Sequence, residues 1–402
     1  MDTAIREEQP GPVSGADLVV GIPSYCEADS IGRVIRQVGH GLRDYYGHLS
    51  SVIVNVDNAS PDDTKSAFFA ADSSGVPRIY LSTPAGLTGK GRNFRNLFSL
   101  VQELEPRAVA VVDADLISIT PEWVPRLLEP VLSGLDYVAP LYVRHPHDGT
   151  ITNHICYPLL YGLCGLQLRQ PIGGDFAFAP WLAQRWLKVP WRQSTCEYGI
   201  DITMTMHAVF GGARLAQAPL GAKIHKPSAP KLGRMFVQVI DSLFGMLNEN
   251  RSQWLNNGHL GIVEEVGQRT VAEPQEMTLD HEAMETDALA EYAALQQELA
   301  AVLSGGTLAR VTKAFSGGAE RLDGGLWLRC VYDSLGAYSH GRMETAVAAL
   351  KPLYLGRVVA FVRETIAQSH SLAEAAILAQ AANFREERDY AVGLVASPPP
   401  CF

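Results

Sequence analysis

Two aspartates one residue apart, Asp113 and Asp115, close the apolar run Ala108–Val112. A β-branched run of this kind reads as a strand buried on both faces. At the carboxyl end of a buried parallel strand, such a pair lies at the rim where open α/β sheets bind their ligands. One carboxylate there can reach a divalent cation, and the other a ribose or a second metal position. Mg2+ and Mn2+ take oxygen ligands and share them with phosphates. The plain alternative is a strand end whose aspartates cap the next turn.

Further groups join this set along the chain. Glu27 follows one strand end and Asp57 closes another, where acids can accept hydrogen bonds from a ribose or a base. Gly89, Lys90 and Gly91 precede a helix, so the glycines would let the backbone approach phosphate while Lys90 and Arg92 supply charge. Walker A spacing is absent, and ATP hydrolysis is not implied. The turn Pro171–Asp175 needs a tight backbone path that brings main chain against a sugar, with Asp175 accepting from a hydroxyl. Glu197 and Asp201, four apart at a helix start, either face a polar pocket or serve the helix dipole. His225, between Lys223 and Lys226, can complete a metal site begun by Asp115.

The elements that must position these groups alternate in type. A first strand starts at Asp17 and stops at Pro23; Ser30 caps a helix with Ile31, Val34, Ile35 and Val38 on one face. Strands follow at Ser51–Asp57 and Arg78–Leu81, with Ser60 and Pro61 starting a helix between them. A helix over Asn93–Glu103 leads into the central strand, then a helix opens at Thr120 and a strand covers Tyr137–Val143. This alternation predicts an α/β, doubly wound, mainly parallel sheet. Beyond residue 235 the spacing turns helical, over 235–248, 280–303, 326–335 and 343–366, and a capping box at Ser371–Glu374 starts one more helix. The expected layout is a flexible lead-in over 1–16, a catalytic domain over 17–234, a helical region over 235–395 and a loose tail over 396–402.

Composition narrows the class. The chain has 402 residues, 47% apolar and 19% charged, which is ordinary globular composition. A net charge of -10 with no basic run excludes a nucleic-acid footprint. The most apolar stretch, Ile155–Leu168, is interrupted by Pro158 and two glycines, so no membrane span is expected. Six cysteines without a C-x-x-C pair read as free thiols, which fits a cytoplasmic protein.

Taken in order, these pieces resemble a GT-A fold (Rossmann-like) glycosyltransferase with an α-helical C-terminal extension. The resemblance rests on Ile22–Glu27, Asp57, Gly89–Gly91, Asp113–Asp115, Gln170–Asp175, Tyr198–Asp201 and His225. More narrowly, they are similar to the retaining enzymes that make glucosyl- or mannosylglycerate and glucosyl-3-phosphoglycerate. Those enzymes carry Q-P-L-G-G-E and A-H-R segments; Ile172, Asp175 and Ile224–Lys226 differ from them here. The resemblance implies nucleotide-sugar contacts from Pro23, Tyr25, Glu27, Asp57, Gly89, Lys90, Asp113, Ala114, Gly173, Gly174 and Asp175. It implies Mg2+ or Mn2+ at Asp115 and His225, with Lys90, Asp115 and Asp201 catalytic.

Arg144, His145, His147, Thr150 and Asn153, between a strand and a helix start, would bind the acceptor acid together with Tyr198. The implied partners are a UDP- or GDP-linked glucose or mannose donor and glycerate or a related small hydroxy acid, giving a compatible solute or its precursor. A homodimer is compatible with the helical region. Two other readings remain: an inverting transferase acting on a polymer or lipid carrier, and a nucleotidyltransferase or silent nucleotide-sugar module.

Overall fold

The computed structural model describes residues 4–84, 86–226, 232–269 and 272–396. They fall into two compact units. The first takes in Met1–Val143, Gln170–Pro230 and Ile262–Gln275; the second takes in Arg144–Arg169, Lys231–Gly261 and Glu276–Phe402. The segment 144–169, expected within the catalytic domain, thus folds with the helices.

Among the described residues, the first unit is built on nine strands: β1 (Ile5–Gln9), β2 (Leu18–Ser24), β3 (Ser51–Asp57), β4 (Arg78–Ser82), β5 (Ala108–Val111), β6 (Tyr137–Val143), β7 (Phe176–Phe178), β8 (Leu215–Ala222) and β9 (Val263–Glu265). They form one sheet in the order β1-β4-β3-β2-β5-β7-β6-β8-β9. The pairs β2–β3, β2–β5, β3–β4, β6–β8 and β8–β9 are parallel. The short β7 runs antiparallel to both β5 and β6, and β1 antiparallel to β4, so the sheet is mixed with a parallel majority.

Ile5–Gln9, expected as a loose lead-in, is therefore an edge strand. Its sequence carries one apolar residue, and edge pairing through backbone hydrogen bonds leaves no apolar pattern to read. Central strands behave as expected: every residue of β2 and of β5 is buried. Against one sheet face, helix Ile31–Tyr46 lays Ile31, Val34, Ile35, Val38 and Leu42, all within one core cluster. Each such side chain contributes about 1.5–3 kcal/mol on full burial.

In the second unit, helix Met343–Thr365 is long and apolar enough by length and composition to cross a membrane. It is instead mostly buried, packed by helices Leu232–Glu249, His281–Ala294 and Gly324–Ser339. The single helix expected over 280–303 is two, His281–Ala294 and Gln296–Val302, separated at Leu295. Ser369, rather than Ser371, caps helix His370–Glu386 through the Leu372 amide, while Glu374 binds Arg169 at 2.8 Å. The last described helix ends at Ala396, and residues 397–402 of the expected tail lie outside the described residues.

Candidate active site

At the carboxyl ends of β5 and β8, carboxylates and ammonium groups interlock. Lys90 lies 3.3 Å from Asp113 and 3.0 Å from Asp201. Lys223 lies 2.9 Å from Asp113, 2.9 Å from Asp175, and donates to the Gly173 carbonyl at 2.7 Å. Asp175 has no exposed surface; it accepts from the Asp113 amide at 2.8 Å and from the Tyr142 hydroxyl. Burial alone would raise the Asp113 carboxyl, but Lys223 and Lys90 outweigh it and hold the group below its ordinary range. For Lys90, burial opposes the charge, and Asp113 with Asp201 overcomes it, so the ammonium stays protonated.

Asp201 differs from its neighbours. Its Oδ2 meets Lys90, while its Oδ1 is buried with no partner among the described residues. Burial, then Asp113, raises its carboxyl above the usual value against the pull of Lys90. An orphaned buried oxygen beside a cation is poised to accept from a ligand hydroxyl. Helix Ile200–Phe210 carries Asp201 and is tied to the glycine turn through Thr205, which donates to the Pro171 carbonyl at 2.6 Å.

Asp115 makes no hydrogen bond or ion pair to the described residues. Burial first and the Asp113 charge second raise its carboxyl, and Lys223 and His225 act against that rise. In His225, Nδ1–H donates to the Lys226 carbonyl at 2.7 Å, the kind of bond by which a metal-ligating imidazole is oriented through its other nitrogen. An under-neutralised carboxylate and an imidazole oriented in this way are a donor set for Mg2+ or Mn2+.

The glycines have a local cause. A Cβ on Gly174 would meet Asp113 Oδ2 at 2.1 Å, and its φ is +88°, so only glycine closes the turn over that carboxylate. A Cβ on Gly173 would meet Pro140 at 2.2 Å. Gln170 holds the same turn to β6: its side chain accepts from the Tyr142 amide at 3.1 Å and donates to the Tyr142 carbonyl at 3.0 Å.

At the helix Lys90–Leu104 the expectation of a phosphate cradle needs correcting. A Cβ on Gly91 would meet the Thr195 carbonyl at 1.9 Å, and one on Gly89 the Cys196 carbonyl at 2.3 Å. The Gly91 amide donates to Glu197 and the Arg92 amide to Cys196, at 3.1 and 3.2 Å. The backbone that approaches this helix start is the chain's own turn before Asp201, and only the Lys90 side chain reaches the carboxylates.

The hydroxyls expected as helix caps serve acids instead. Ser30 donates to Glu27 at 2.6 Å, and Lys226 lies 2.7 Å from the same carboxylate. Ser24 and Ser60 donate to Asp57 at 3.0 and 2.6 Å, and the Ser60 amide joins at 2.7 Å. Asp57 is thereby buried and ties β2 to the loop after β3, and the next helix starts only at Thr64. Pro23 is buried opposite Val56 in β3, Ala114 is buried between the two aspartates, and Tyr25 is 51% exposed.

The residues expected at the acceptor are divided. Tyr198 belongs to the first unit; Arg144, His147, Thr150 and Asn153 belong to the second. There Arg144 pairs with Asp148 at 2.7 Å, His147 meets Thr365 at 2.9 Å, and Thr150 meets Tyr354 at 2.5 Å. Asn153 donates to the carbonyls of Pro146 and Asp148, both at 2.9 Å, and accepts from Arg169 at 2.9 Å. Lys223 and Tyr142 were not singled out from sequence as site residues. The available signal was strand alternation, which puts Lys223 two residues before His225 beyond the end of β8.

Residues 19–184 match Glycosyl transferase family 2. The chain is 30% identical over 255 residues to glucosyl-3-phosphoglycerate synthase of Mycolicibacterium paratuberculosis, covering 57% of this chain and 72% of that protein. It is 29% identical over 251 residues to the Mycolicibacterium smegmatis protein of the same name, covering 57% and 77%. Among solved structures, glucosyl-3-phosphoglycerate synthase from Mycobacterium tuberculosis in complex with Mn2+, UDP and glucosyl-3-phosphoglycerate matches with a TM-score of 0.47 and 26% identity, covering 58% of this chain and 80% of that one. With a relative 30% identical and covered over 72% of its length, the chain belongs to the glucosyl-3-phosphoglycerate synthase family of GT-A fold glycosyltransferases, and its residues 19–184 carry the glycosyl transferase family 2 match.

Proposed function

We propose that the chain transfers glucose from UDP-glucose to 3-phosphoglycerate or the closely related D-glycerate, with retention at the anomeric carbon and a divalent cation at Asp115 and His225. The observation that carries this reading is the charge balance at the strand ends. Asp113, Asp115, Asp175 and Asp201 face Lys90 and Lys223, and the surplus of two negative charges when all are ionised is what one dication neutralises. The names of the curated relatives supply the donor sugar and the acceptor class.

When bound, Mg2+ or Mn2+ supplies charge stabilisation to the departing diphosphate. Lys90, kept protonated, adds a fixed positive charge beside the same group. Asp113 and Asp175 orient Lys223, and Gly174 lets the turn over Asp113 come close enough to shape the sugar pocket. Asp201 Oδ1 accepts from a sugar or acceptor hydroxyl. No protein nucleophile is needed if the acceptor attacks on the face the diphosphate leaves, its proton passing to the leaving phosphate oxygen.

Product analysis by NMR tests the reading. UDP-glucose with 3-phosphoglycerate or D-glycerate and Mn2+ should give an α-linked glucosyl acid. A β-linked product would overturn retention, and transfer only from GDP-mannose would overturn the donor assignment.

A further inference from the structure

Within the helical unit, His145, Glu276 and His370 come from three distant segments, and one ligand atom of each lies within 4.8 Å of the others. The His145 and His370 rings meet edge to face, with centroids 4.9 Å apart. Glu276 and His370 make no hydrogen bond or ion pair to the described residues. We propose that these three side chains form a second metal site, taking a divalent ion of the zinc class.

The donor set selects the ion. Two imidazoles and one carboxylate suit Zn2+, whereas Mg2+ suits a site in which oxygen ligands predominate. Three protein ligands leave one tetrahedral position for water. Ligand atoms at about 2.0–2.2 Å from a tetrahedral ion lie about 3.3–3.6 Å apart. The present spread must therefore contract by about 1 Å, a movement available to Glu276 because its side chain is exposed. Burial, and then His370, hold the His145 ring below the ordinary imidazole pKa, against the pull of Glu276.

Metal entry has a local cost at His145. The His147 amide donates to its Nδ1 at 3.2 Å. An ion at Nδ1 displaces that donor, and an ion at Nε2 moves the ring proton onto Nδ1, which then no longer accepts. The gain is closure. One ion ties His145, the segment before helix His281–Ala294 and the first residue of helix His370–Glu386, and loops this long lose the most freedom when clipped.

Calorimetric titration of the chelator-stripped 402-residue chain with Zn2+ tests the site. An Asp115→Ala, His225→Ala parent removes the other donor pair from the signal. One Zn2+ per chain is expected for that parent, with affinity falling by more than about 10–100-fold on adding either His370→Ala or Glu276→Gln, since even outer-shell losses cost that much. Glu276→Gln changes an exposed side chain and keeps the test valid if His370→Ala fails to fold. Unchanged zinc binding in the folded variants overturns the proposal, as does a parent that binds no zinc.

Discussion

Lys223 Nζ stands 2.9 Å from Asp175, a carboxylate with no exposed surface, and equally close to Asp113. This ammonium is what permits two acids to approach across the sheet. Lys223→Met leaves Asp175 buried without its counter-charge, and removing one partner of a buried pair costs about 3–5 kcal/mol. Urea unfolding should show that loss, and the double variant Lys223→Met, Asp175→Asn should recover part of it. Equal stability of the single variant and the parent would contradict the bridging role.

Asp115 gives the opposite expectation. Its carboxylate has no partner among the described residues and is pushed up by burial and by Asp113. Asp115→Asn should therefore keep or slightly raise the melting temperature measured without metal. Turnover should fall by about 100-fold or more, the scale seen when one group stabilising transition-state charge is lost. A variant with full activity would remove Asp115 from the metal site.

The same shift sets a pH dependence. A carboxyl whose folded pKa lies above the unfolded value binds its proton more tightly in the native state. Asp115 therefore adds stability as pH falls through its raised pKa and withdraws it as pH rises. Mn2+ competes with that proton, so Mn2+ affinity should weaken on acidification at a pH above the ordinary value of 3.8. In Asp113→Asn the repulsion is gone and the acid limb should move down. Titrations of Mn2+ binding against pH in both proteins check the direction; an unmoved limb would contradict the coupling.

Gly91→Ala should be costly although it lies at a helix start, where alanine is otherwise welcome. The added Cβ would meet the Thr195 carbonyl at 1.9 Å. Overpacking of this kind costs about 1–3 kcal/mol, and the displaced turn also precedes Asp201. Denaturant unfolding and turnover should both decline, whereas Gly86→Ala, with no atom within 4 Å of its Cβ, should lose stability only through its positive φ.

Much of this arrangement was legible because its causes are local. Alternating apolar runs placed β2, β3, β5 and β6 within a few residues, and the acids at their ends were visible as breaks in those runs. The partners of Ser30 and Ser60 were not legible, since a hydroxyl before a helix reads as a cap unless a nearby acid is known to compete. β1 carries too little apolar sequence to betray an edge pairing. The crowding of Gly91 against Thr195 joins residues far apart in the chain, so the same glycine pattern reads as a phosphate loop. Lys223 was hidden for a related reason: its role comes from Asp113 and Asp175, which meet it only after β5, β7 and β8 assemble.

UDP release from UDP-glucose with 3-phosphoglycerate, followed with Mn2+ and again after EDTA, tests the metal site and the transfer together. Release should depend on the acceptor in Mn2+, be lost in EDTA, and not be recovered by Mn2+ in Asp115→Ala. Release that persists in EDTA, or that Asp115→Ala retains, would contradict a divalent cation held at the end of β5.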